Sequence, residues 1–360
     1  MVTPESPEAL AETLAEAARQ GQAVVPVGGG RAATMGTAPE RRDLEVGTAG
    51  LDRVIEHSQA DLTCTVEAGL TLERLQQQLA GAGQFLPLDP RNSPGHTVGG
   101  ALASGWTGPL RLRFGSPREF VIGLRVALPD GRLVRSGGRV VKNVSGYDLN
   151  KLHLGALGTL GVIVEASFKV FPQPAARATL ERIAEDADSA WAEANRLLKL
   201  AQLPWALELE RDAQGTLRLV TLIAGPRSAV ERLASEIGWA ESSESWEERA
   251  RITSAHWAKI SGPRAALPGI VAQLPPTAHW IAQPGIGTAD WLDAADPETI
   301  FAIRAVAERA GGSLVLLAAS DEVKREVGVW GAEHPALDLM LRLRDAFDPG
   351  RTINPGRYVV

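Results

Sequence analysis

The sequence is poor in cysteine, in long apolar runs and in positive charge. Cys64 is the single cysteine among the 360 residues, which excludes an intrachain disulfide and an iron–sulfur cluster carried by this chain alone. Because Cys64 lies in an alternating, strand-like segment, we expect it to be a buried structural thiol. No apolar run approaches the ~18 residues that a membrane-spanning helix needs.

The formal net charge is −6, which argues against nucleic acid or an anionic membrane as the main partner. Residues 1–5 are acidic and have no apolar core, so we expect no secretory signal and a cytoplasmic protein that reaches a membrane only through partners. None of the histidines has metal-ligand spacing, so we expect surface residues or hydrogen-bonded core residues and no metal site. They are His57, His96, His153, His256, His279 and His334.

Glycine, by contrast, is abundant, and it is concentrated in several stretches between apolar segments. In residues 24–34 a β-branched run leads into Gly28-Gly29-Gly30. Glycine has no Cβ and tolerates positive φ, so such a loop can present backbone N–H groups to an anion. Its Gly-x-Gly-x-x-Ala pattern also matches the Rossmann fingerprint, but Gly36 and Pro39 leave no room for the helix that a Rossmann fold requires. A purely structural tight turn is the alternative interpretation.

A second glycine-rich stretch covers residues 94–105, and further ones cover 142–149 and 155–163. In the second stretch, Thr97 offers a capping hydroxyl, and Gly99 and Gly100 offer bare backbone amides at the start of a helix. A close contact between two helices is the alternative there. Taken together, these stretches favour a backbone wrapped around an extended ligand over one that only packs a core.

Hydrophobic periodicity divides the chain into two regions of different composition. The first region predicts helices at 7–20 and 72–79, a turn or short helix at 51–55, and strands at 24–27, 44–46, 61–69, 120–128 and 132–135. The second, from residue 177, predicts helices at 188–201, 228–237, 297–310 and 337–347, and strands at 178–183, 205–211, 217–224 and 313–319. This second region is expected to form an antiparallel sheet with helices on one face.

The order and spacing of six segments resemble the FAD-binding domain of the vanillyl-alcohol oxidase (PCMH-type) family. They are Pro26 to Arg31, residues 66–69, Thr97 to Gly100, residues 128–131, residues 158–163 and Asn354-Pro355-Gly356. Within that family, residues 137–149 are similar to the FAD-binding subunits of bacterial glycolate oxidases. The resemblance implies an α+β fold with a bipartite PCMH-type FAD-binding domain at 1–172, a smaller α+β cap or substrate domain at 173–346, and a C-terminal tail at 347–360 that returns to the FAD domain.

The resemblance also implies non-covalent FAD, with its pyrophosphate between the first two glycine-rich stretches. The implied cofactor-binding residues are Pro26, Gly28, Gly29, Gly30, Arg31, Ala32, Thr97, Gly99, Gly100, Ser104, Gly105, Lys142, Asn143, Gly161, Val162, Ile163 and Asn354. Arg31 would add a charge-assisted donor, and Lys142 would lie near the flavin, with a surface salt bridge as the alternative. Relatives with covalent FAD use a histidine in the first loop or a later cysteine, and neither is present at those places.

The implied activity is that of an FAD-binding subunit of a glycolate oxidase-like dehydrogenase, which oxidises glycolate or a similar 2-hydroxy acid. Its implied partners are a catalytic FAD subunit and an iron–sulfur subunit. Catalytic relatives carry a His-x-Gly-Asp-Gly-Asn-x-His-like run that this sequence lacks, so no residue is assigned as the catalytic base. Two alternatives remain open: a stand-alone FAD dehydrogenase of a small hydroxy acid or alcohol, and an assembly subunit with a vestigial flavin.

Overall fold

The structure is a computed structural model that describes residues 1–91, 94–138 and 148–359. The chain forms two compact units: Met1–Thr107, Ser116–Gln173 and His334–Val360 make the first, and Gly108–Gly115 and Pro174–Glu333 make the second. The division predicted from sequence after residue 172 differs from these units in two places. Residues 108–115 belong to the second unit, and the return to the first unit begins at His334, before the last helix, rather than at 347.

The helices of the described residues are α1 (Pro7–Arg19), α2 (Leu72–Ala80), α3 (Val98–Ser104), α4 (Arg111–Phe114), α5 (Asn150–His153), α6 (Ala187–Leu197), α7 (Arg227–Ile237), α8 (Trp246–Arg249), α9 (Leu267–Val271), α10 (Pro297–Arg309), α11 (Asp321–Val327) and α12 (Leu337–Phe347). The strands are β1 (Val24–Val27), β2 (Leu44–Gly47), β3 (Val54–Ser58), β4 (Thr63–Glu67), β5 (Gln84–Phe85), β6 (Val121–Ala127), β7 (Leu133–Gly137), β8 (Val162–Lys169), β9 (Phe171–Pro172), β10 (Ala176–Ala184), β11 (Ala206–Arg211), β12 (Leu217–Gly225), β13 (Ala240–Glu241), β14 (Trp257–Ser261), β15 (Trp280–Gln283), β16 (Thr288–Trp291) and β17 (Ser313–Ala318). None of these helices has both the length and the hydrophobicity that crossing a bilayer requires.

The first unit is built around a five-stranded antiparallel sheet of order β3-β4-β8-β6-β7, beside a parallel pair of β1 and β2. One apolar core joins α2 and α3 to this sheet, and it includes Leu75 and Phe168. A second core joins α1 to β1 and β8, and it includes Leu14 and Val164. Each fully buried side chain of this kind contributes about 1.5–3 kcal/mol to folding. The thiol of Cys64 is buried in the first core, as predicted.

Capping residues fix where the helices of the first unit begin. The Ser6 side chain accepts a hydrogen bond from the Ala9 N–H at 3.1 Å, which starts α1 just before a first-turn proline. Thr71 caps α2 in the same way, with its Oγ1 3.4 Å from the Arg74 nitrogen. Both starts were predicted from sequence, because a side-chain acceptor satisfies an N–H that the first helical turn leaves free.

One prediction in the first unit was wrong. Residues 51–55 were expected to form a turn or short helix, but Val54–Ser58 form β3 and pair with β4 in antiparallel register, with His57 opposite Cys64. Val54 and Ile55 are β-branched and favour a strand, but they are followed at once by polar residues, so the local signal is short. Pairing with β4 extends the strand to Ser58.

The second unit contains an antiparallel sheet of order β13-β10-β12-β11-β15-β16-β14-β17. Helices including α6, α7 and α10 pack on one face through a core that contains Leu197, Leu233 and Ile303. This agrees with the predicted antiparallel sheet and helical layer. Strands β13 to β16 were not predicted, because each is only two to five residues long and such short segments carry little periodic signal.

The C-terminal tail lies along β1 in the first unit. The Asn354 N–H donates to the Val24 oxygen at 2.9 Å. Two buried charged residues at the end of α12 hold the tail in place. Arg344 Nη2 donates to the Ile353 oxygen at 2.9 Å, and Asp348 Oδ2 accepts from the Ile353 N–H at 2.8 Å. These bonds bring residues 354–357 beside the loop that follows β1.

Candidate cofactor-binding site

The loop after β1, the start of α3 and the C-terminal tail line one cleft within the first unit. The cleft has a cavity volume of about 170 Å³ and is partly open to solvent. Many of the residues implied by the sequence resemblance line it, namely Pro26, Gly28, Gly29, Gly30, Arg31, Ala32, Thr97, Gly100, Ser104 and Asn354. Folding therefore brings together the two glycine-rich stretches and the tail.

The three glycines of the first loop are required for two different reasons. A Cβ at Gly29 would overlap the Gly95 carbonyl oxygen, and a Cβ at Gly28 would overlap Thr97 Oγ1. These two glycines therefore let the first loop lie against the second glycine-rich stretch. Gly30 has φ +72°, and a Cβ there would meet no protein atom within 4 Å. Its requirement is the left-handed backbone, and the space beside it is open to a ligand. No helix follows within the described residues 31–39, in agreement with the rejection of a Rossmann fold.

The start of α3 uses its backbone amides within the protein. Thr97 Oγ1 accepts from the Gly100 N–H at 3.2 Å, which confirms the predicted cap. The Gly99 N–H donates to the Ala68 oxygen at 2.7 Å, and a Cβ at Gly99 would lie 2.8 Å from Ala68 Cβ. The expectation that Gly99 and Gly100 present bare amides was therefore wrong. Gly99 is small because α3 packs closely against the end of β4.

Several other implied residues do not line the cleft. Gly105 ends α3 with φ +64°, and Gly161 precedes β8. Val162 and Ile163 are buried strand residues that pair with Ala127 and Val126 of β6. Lys142 and Asn143 lie outside the described residues.

Arg357 connects the tail to the first loop, and the sequence analysis missed it. Its Nη2 donates to the Ala32 and Ala33 oxygens at 2.7 and 3.0 Å. Burial lowers the pKa of this guanidinium, and the nearby charge of Arg42 lowers it further. The position after Asn354-Pro355-Gly356 was the only sequence signal, and it carried no information about which loop the side chain would reach.

The described residues that line the cleft include three arginines and no aspartate or glutamate. The arginines are Arg31, Arg42 and Arg357. A Cβ at Gly95 would lie 3.0 Å from Arg31 Nε, so this guanidinium covers the second glycine-rich stretch. Because guanidinium groups pair well with phosphate oxygens, the charges of the cleft suit an anionic ligand.

Three polar side chains of the cleft, those of Asn354, His96 and Arg357, have a buried atom without a hydrogen-bond partner among the described residues, and in Arg357 this atom is Nε. Asn354 donates from Nδ2 to the Leu157 oxygen at 2.7 Å, but its Oδ1 has no partner. His96 is 2% exposed and its Nε2 has no partner. Buried polar atoms in native proteins are normally satisfied, so these three atoms mark positions where a bound molecule would complete the hydrogen bonding. His96 is a hydrogen-bonded core residue, as expected, because its ring bonds to the Arg91 backbone, but its Nε2 takes no part in this bond.

Burial lowers the pKa of His96 to about 4, and the charge of Arg31 adds to this effect. A backbone hydrogen bond to Arg91 opposes it in part. The ring also meets the edge of Trp106, with centroids 5.7 Å apart. The imidazole is therefore neutral at pH 7. Within the described ranges, no group of three or more histidine, cysteine, aspartate or glutamate side chains is placed to hold a metal ion.

Known proteins are similar to this chain over most of its length. A family model described as an FAD binding domain matches residues 1–137. The chain is 31% identical over 316 residues to glycolate oxidase subunit GlcE of Escherichia coli, and the match covers 84% of each protein. The chain belongs to the PCMH-type FAD-binding family. Membership of this family confirms the resemblance drawn from the sequence and makes the protein an FAD-binding oxidoreductase.

Other family members match a shorter part of the chain. Glycolate oxidase subunit GlcD of Bacillus subtilis is 30% identical over 208 residues, which cover 58% of this chain and 44% of GlcD. The mitochondrial D-lactate dehydrogenase [cytochrome] of Arabidopsis thaliana is 34% identical over 170 residues, 47% of this chain and 30% of that protein. The chain thus matches less than half the length of these two relatives. A solved structure of alkyldihydroxyacetonephosphate synthase has the same fold, with a TM-score of 0.74 at 17% identity over 98% of this chain and 75% of the other.

The residues of the cleft fit FAD. Its diphosphate is anionic and matches a cleft whose described lining residues include arginines and no carboxylates. Gly30 leaves open space beside the first loop. The unpartnered atoms of His96 and Asn354 can meet the polar groups of the cofactor.

Proposed function

We propose that this chain is the FAD-binding subunit of a glycolate oxidase-like 2-hydroxy-acid dehydrogenase, and that the cleft holds the FAD pyrophosphate without a covalent bond. The observation that carries the proposal is the arginine-lined cleft at the glycine loop in a chain that matches GlcE over 84% of both lengths. The proposed domains are an FAD-binding domain and a smaller second domain, and the C-terminal tail belongs to the FAD-binding domain.

The chain's own residues are proposed to bind and orient the cofactor. Gly28 and Gly29 allow the two glycine-rich stretches to meet. Arg31 and Arg42 offset the charge of the pyrophosphate, while Arg357 holds the loop. When bound, FAD supplies the hydride-accepting chemistry that converts a 2-hydroxy acid to the 2-oxo acid.

The proposed partners are a catalytic flavoprotein subunit and an iron–sulfur subunit, and the proposed location is the cytoplasm. With Cys64 as its single cysteine, this chain cannot by itself hold an iron–sulfur cluster. A partner or a soluble acceptor must therefore take the electrons. Glycolate or a similar 2-hydroxy acid is proposed as the substrate because the chain is similar to the glycolate oxidase subunits GlcE and GlcD.

The first test is the visible spectrum of the purified chain before and after acid precipitation, followed by anaerobic addition of glycolate. The expected result is an oxidised-flavin spectrum that moves to the supernatant on precipitation. Bands that stay with the pellet would contradict non-covalent binding, and a chain that neither contains nor takes up flavin would contradict the proposal. Bleaching of the isolated chain by glycolate would favour the stand-alone dehydrogenase instead. An unbleached flavin that is bleached when the partner subunits are added would support the proposal.

A pair of variants tests the location of the cofactor. Gly29→Ala places a Cβ on the Gly95 carbonyl, whereas Gly269→Ala in α9 meets no atom within 4 Å. The first variant should lose flavin while keeping its circular dichroism spectrum, and the second should keep both. Normal flavin content in a folded Gly29→Ala variant would place the cofactor elsewhere.

A further inference from the structure

His96 stands out because it is buried in the cleft with one ring nitrogen unused. The residue is 2% exposed and lines the cleft, and its Nε2 has no hydrogen-bond partner in the part of the chain that the structure describes. Its ring orientation is fixed by the edge-to-face contact with Trp106, at an interplanar angle of 83°. A rigid, desolvated polar atom of this kind is costly unless a ligand completes it.

The hydrogen bond made by Nδ1 determines whether Nε2 is a hydrogen-bond donor or an acceptor. The backbone of Arg91 makes a hydrogen bond that favours the protonated ring, so the Arg91 group is a carbonyl that accepts from Nδ1–H. A neutral imidazole that donates from Nδ1 has a lone pair on Nε2. Nε2 is therefore a hydrogen-bond acceptor, and the ligand group that meets it must be a donor.

This requirement excludes the phosphate oxygens as the partner of His96. They are acceptors, and the positive charge of Arg31 beside the ring opposes protonation that would turn Nε2 into a donor. In FAD the diphosphate is flanked on one side by the ribityl hydroxyls and on the other by the ribose hydroxyls. These are the hydroxyl donors nearest to a pyrophosphate held at the glycine loop.

We propose that His96 Nε2 accepts a hydrogen bond from a hydroxyl of the bound cofactor, in the ribityl chain or in the adenosine ribose, and so fixes the position of FAD along the cleft. The inference rests on the proposed placement of the pyrophosphate. It makes His96 a binding residue that recognises a sugar-type hydroxyl, while the arginines recognise charge.

The test compares His96→Phe with His153→Phe. Phenylalanine keeps an aromatic ring and removes the acceptor. His153 is a matched control because it is also buried, also meets an aromatic edge, that of Phe347 at 5.8 Å, and does not line the cleft. Dissociation constants for FAD, FMN and ADP are measured by titration of the apoprotein. His96→Phe should bind FAD roughly 10-fold more weakly, and His153→Phe should bind it as the wild type does.

The smaller ligands distinguish the two sources of the hydroxyl. If His96→Phe binds FMN more weakly but ADP normally, the hydroxyl that His96 meets belongs to the ribityl chain. If it binds ADP more weakly but FMN normally, the hydroxyl belongs to the ribose. Unchanged FAD affinity in His96→Phe, with normal binding by the wild type, would overturn this inference and leave the proposed function standing. Absence of FAD binding by the wild type would instead overturn the proposed function.

A second measurement uses the wild type alone, in case His96→Phe does not fold. In NMR of selectively isotope-labelled histidine, the Nε2 resonance of His96 should shift on addition of FAD in the direction of a nitrogen that accepts a hydrogen bond. The His153 resonances serve as the internal control. An unshifted Nε2 at saturating FAD would overturn the inference.

Discussion

Replacing Arg357 by methionine should release the glycine loop from the tail and weaken FAD binding. The side chain is 8% exposed, and its Nη2 donates to the oxygens of Ala32 and Ala33 at 2.7 and 3.0 Å. Hydrogen bonds to a charged donor contribute about 1.5–3 kcal/mol each. Burial of the guanidinium offsets part of this, as its lowered pKa shows.

A net loss equal to about one such bond raises the dissociation constant of FAD about 10- to 100-fold. Methionine keeps the apolar stem of Arg357, so the packing of the tail is largely retained. Lysine at this position keeps the charge but loses the planar fork. If the loop contacts matter more than the charge, Arg357→Lys should recover only part of the affinity.

The assay is titration of the apoprotein with FAD, combined with thermal unfolding of the same samples. Arg351→Met is the control, because Arg351 lies in the same tail but pairs with Asp345 at 3.4 Å on the surface, where such pairs contribute about 0–1 kcal/mol. A lower melting temperature with wild-type FAD affinity in Arg357→Met would refute the reasoning. It would show that the tail stabilises the fold without shaping the cleft.

Three further predictions concern stability and reactivity. Gly30→Ala should destabilise the apoprotein by only about 1–2 kcal/mol, the cost of a left-handed backbone, and Gly29→Ala by more; denaturant titrations giving the reverse order would contradict the steric assignment. Burial lowers the pKa of His96 and His153 to about 4 from an unfolded value near 6.5. The unfolded chain therefore binds protons that the folded chain does not, so stability should fall as pH falls from about 6.5 towards 4. His153→Phe should remove about one proton of uptake on unfolding near pH 5, and an unaltered uptake would contradict the assignment. Burial raises the pKa of Cys64 to about 12, so a thiol reagent should label it only after unfolding; fast labelling of the native protein would refute its burial.

Local signals in the sequence were sufficient for the parts of the cleft that are made by short-range chemistry. The run into Gly28-Gly29-Gly30 predicted the strand and loop, because β-branched residues favour strands and three glycines cannot continue one. Thr97 predicted the start of α3, since a capping hydroxyl acts on an amide three residues away. The family resemblance then indicated that these segments meet, which no local pattern does.

The missed features depend on contacts between distant residues. Arg357 reaches carbonyls more than three hundred positions away along the chain, and nothing in its immediate sequence specifies them. The same holds for Gly99, whose amide is taken by Ala68. His96 was expected to be satisfied because most buried histidines are, and only the packed structure reveals which ring nitrogen is left without a partner.

The arrangement of the tail explains why a glycine loop alone does not make this site. Three glycines have no conformational preference of their own, so a loop made of them is costly to order. Gly29 lies against Gly95, and Arg357 holds the carbonyls that follow. Arg344 and Asp348 form a buried ion pair, with 3.7 Å between Nη2 and Oδ2. This pair in turn holds the tail. With FAD in the proposed position, its affinity should depend on whether the last helix is docked, and bound FAD should in return stabilise that docking, since any ligand favours the state that binds it.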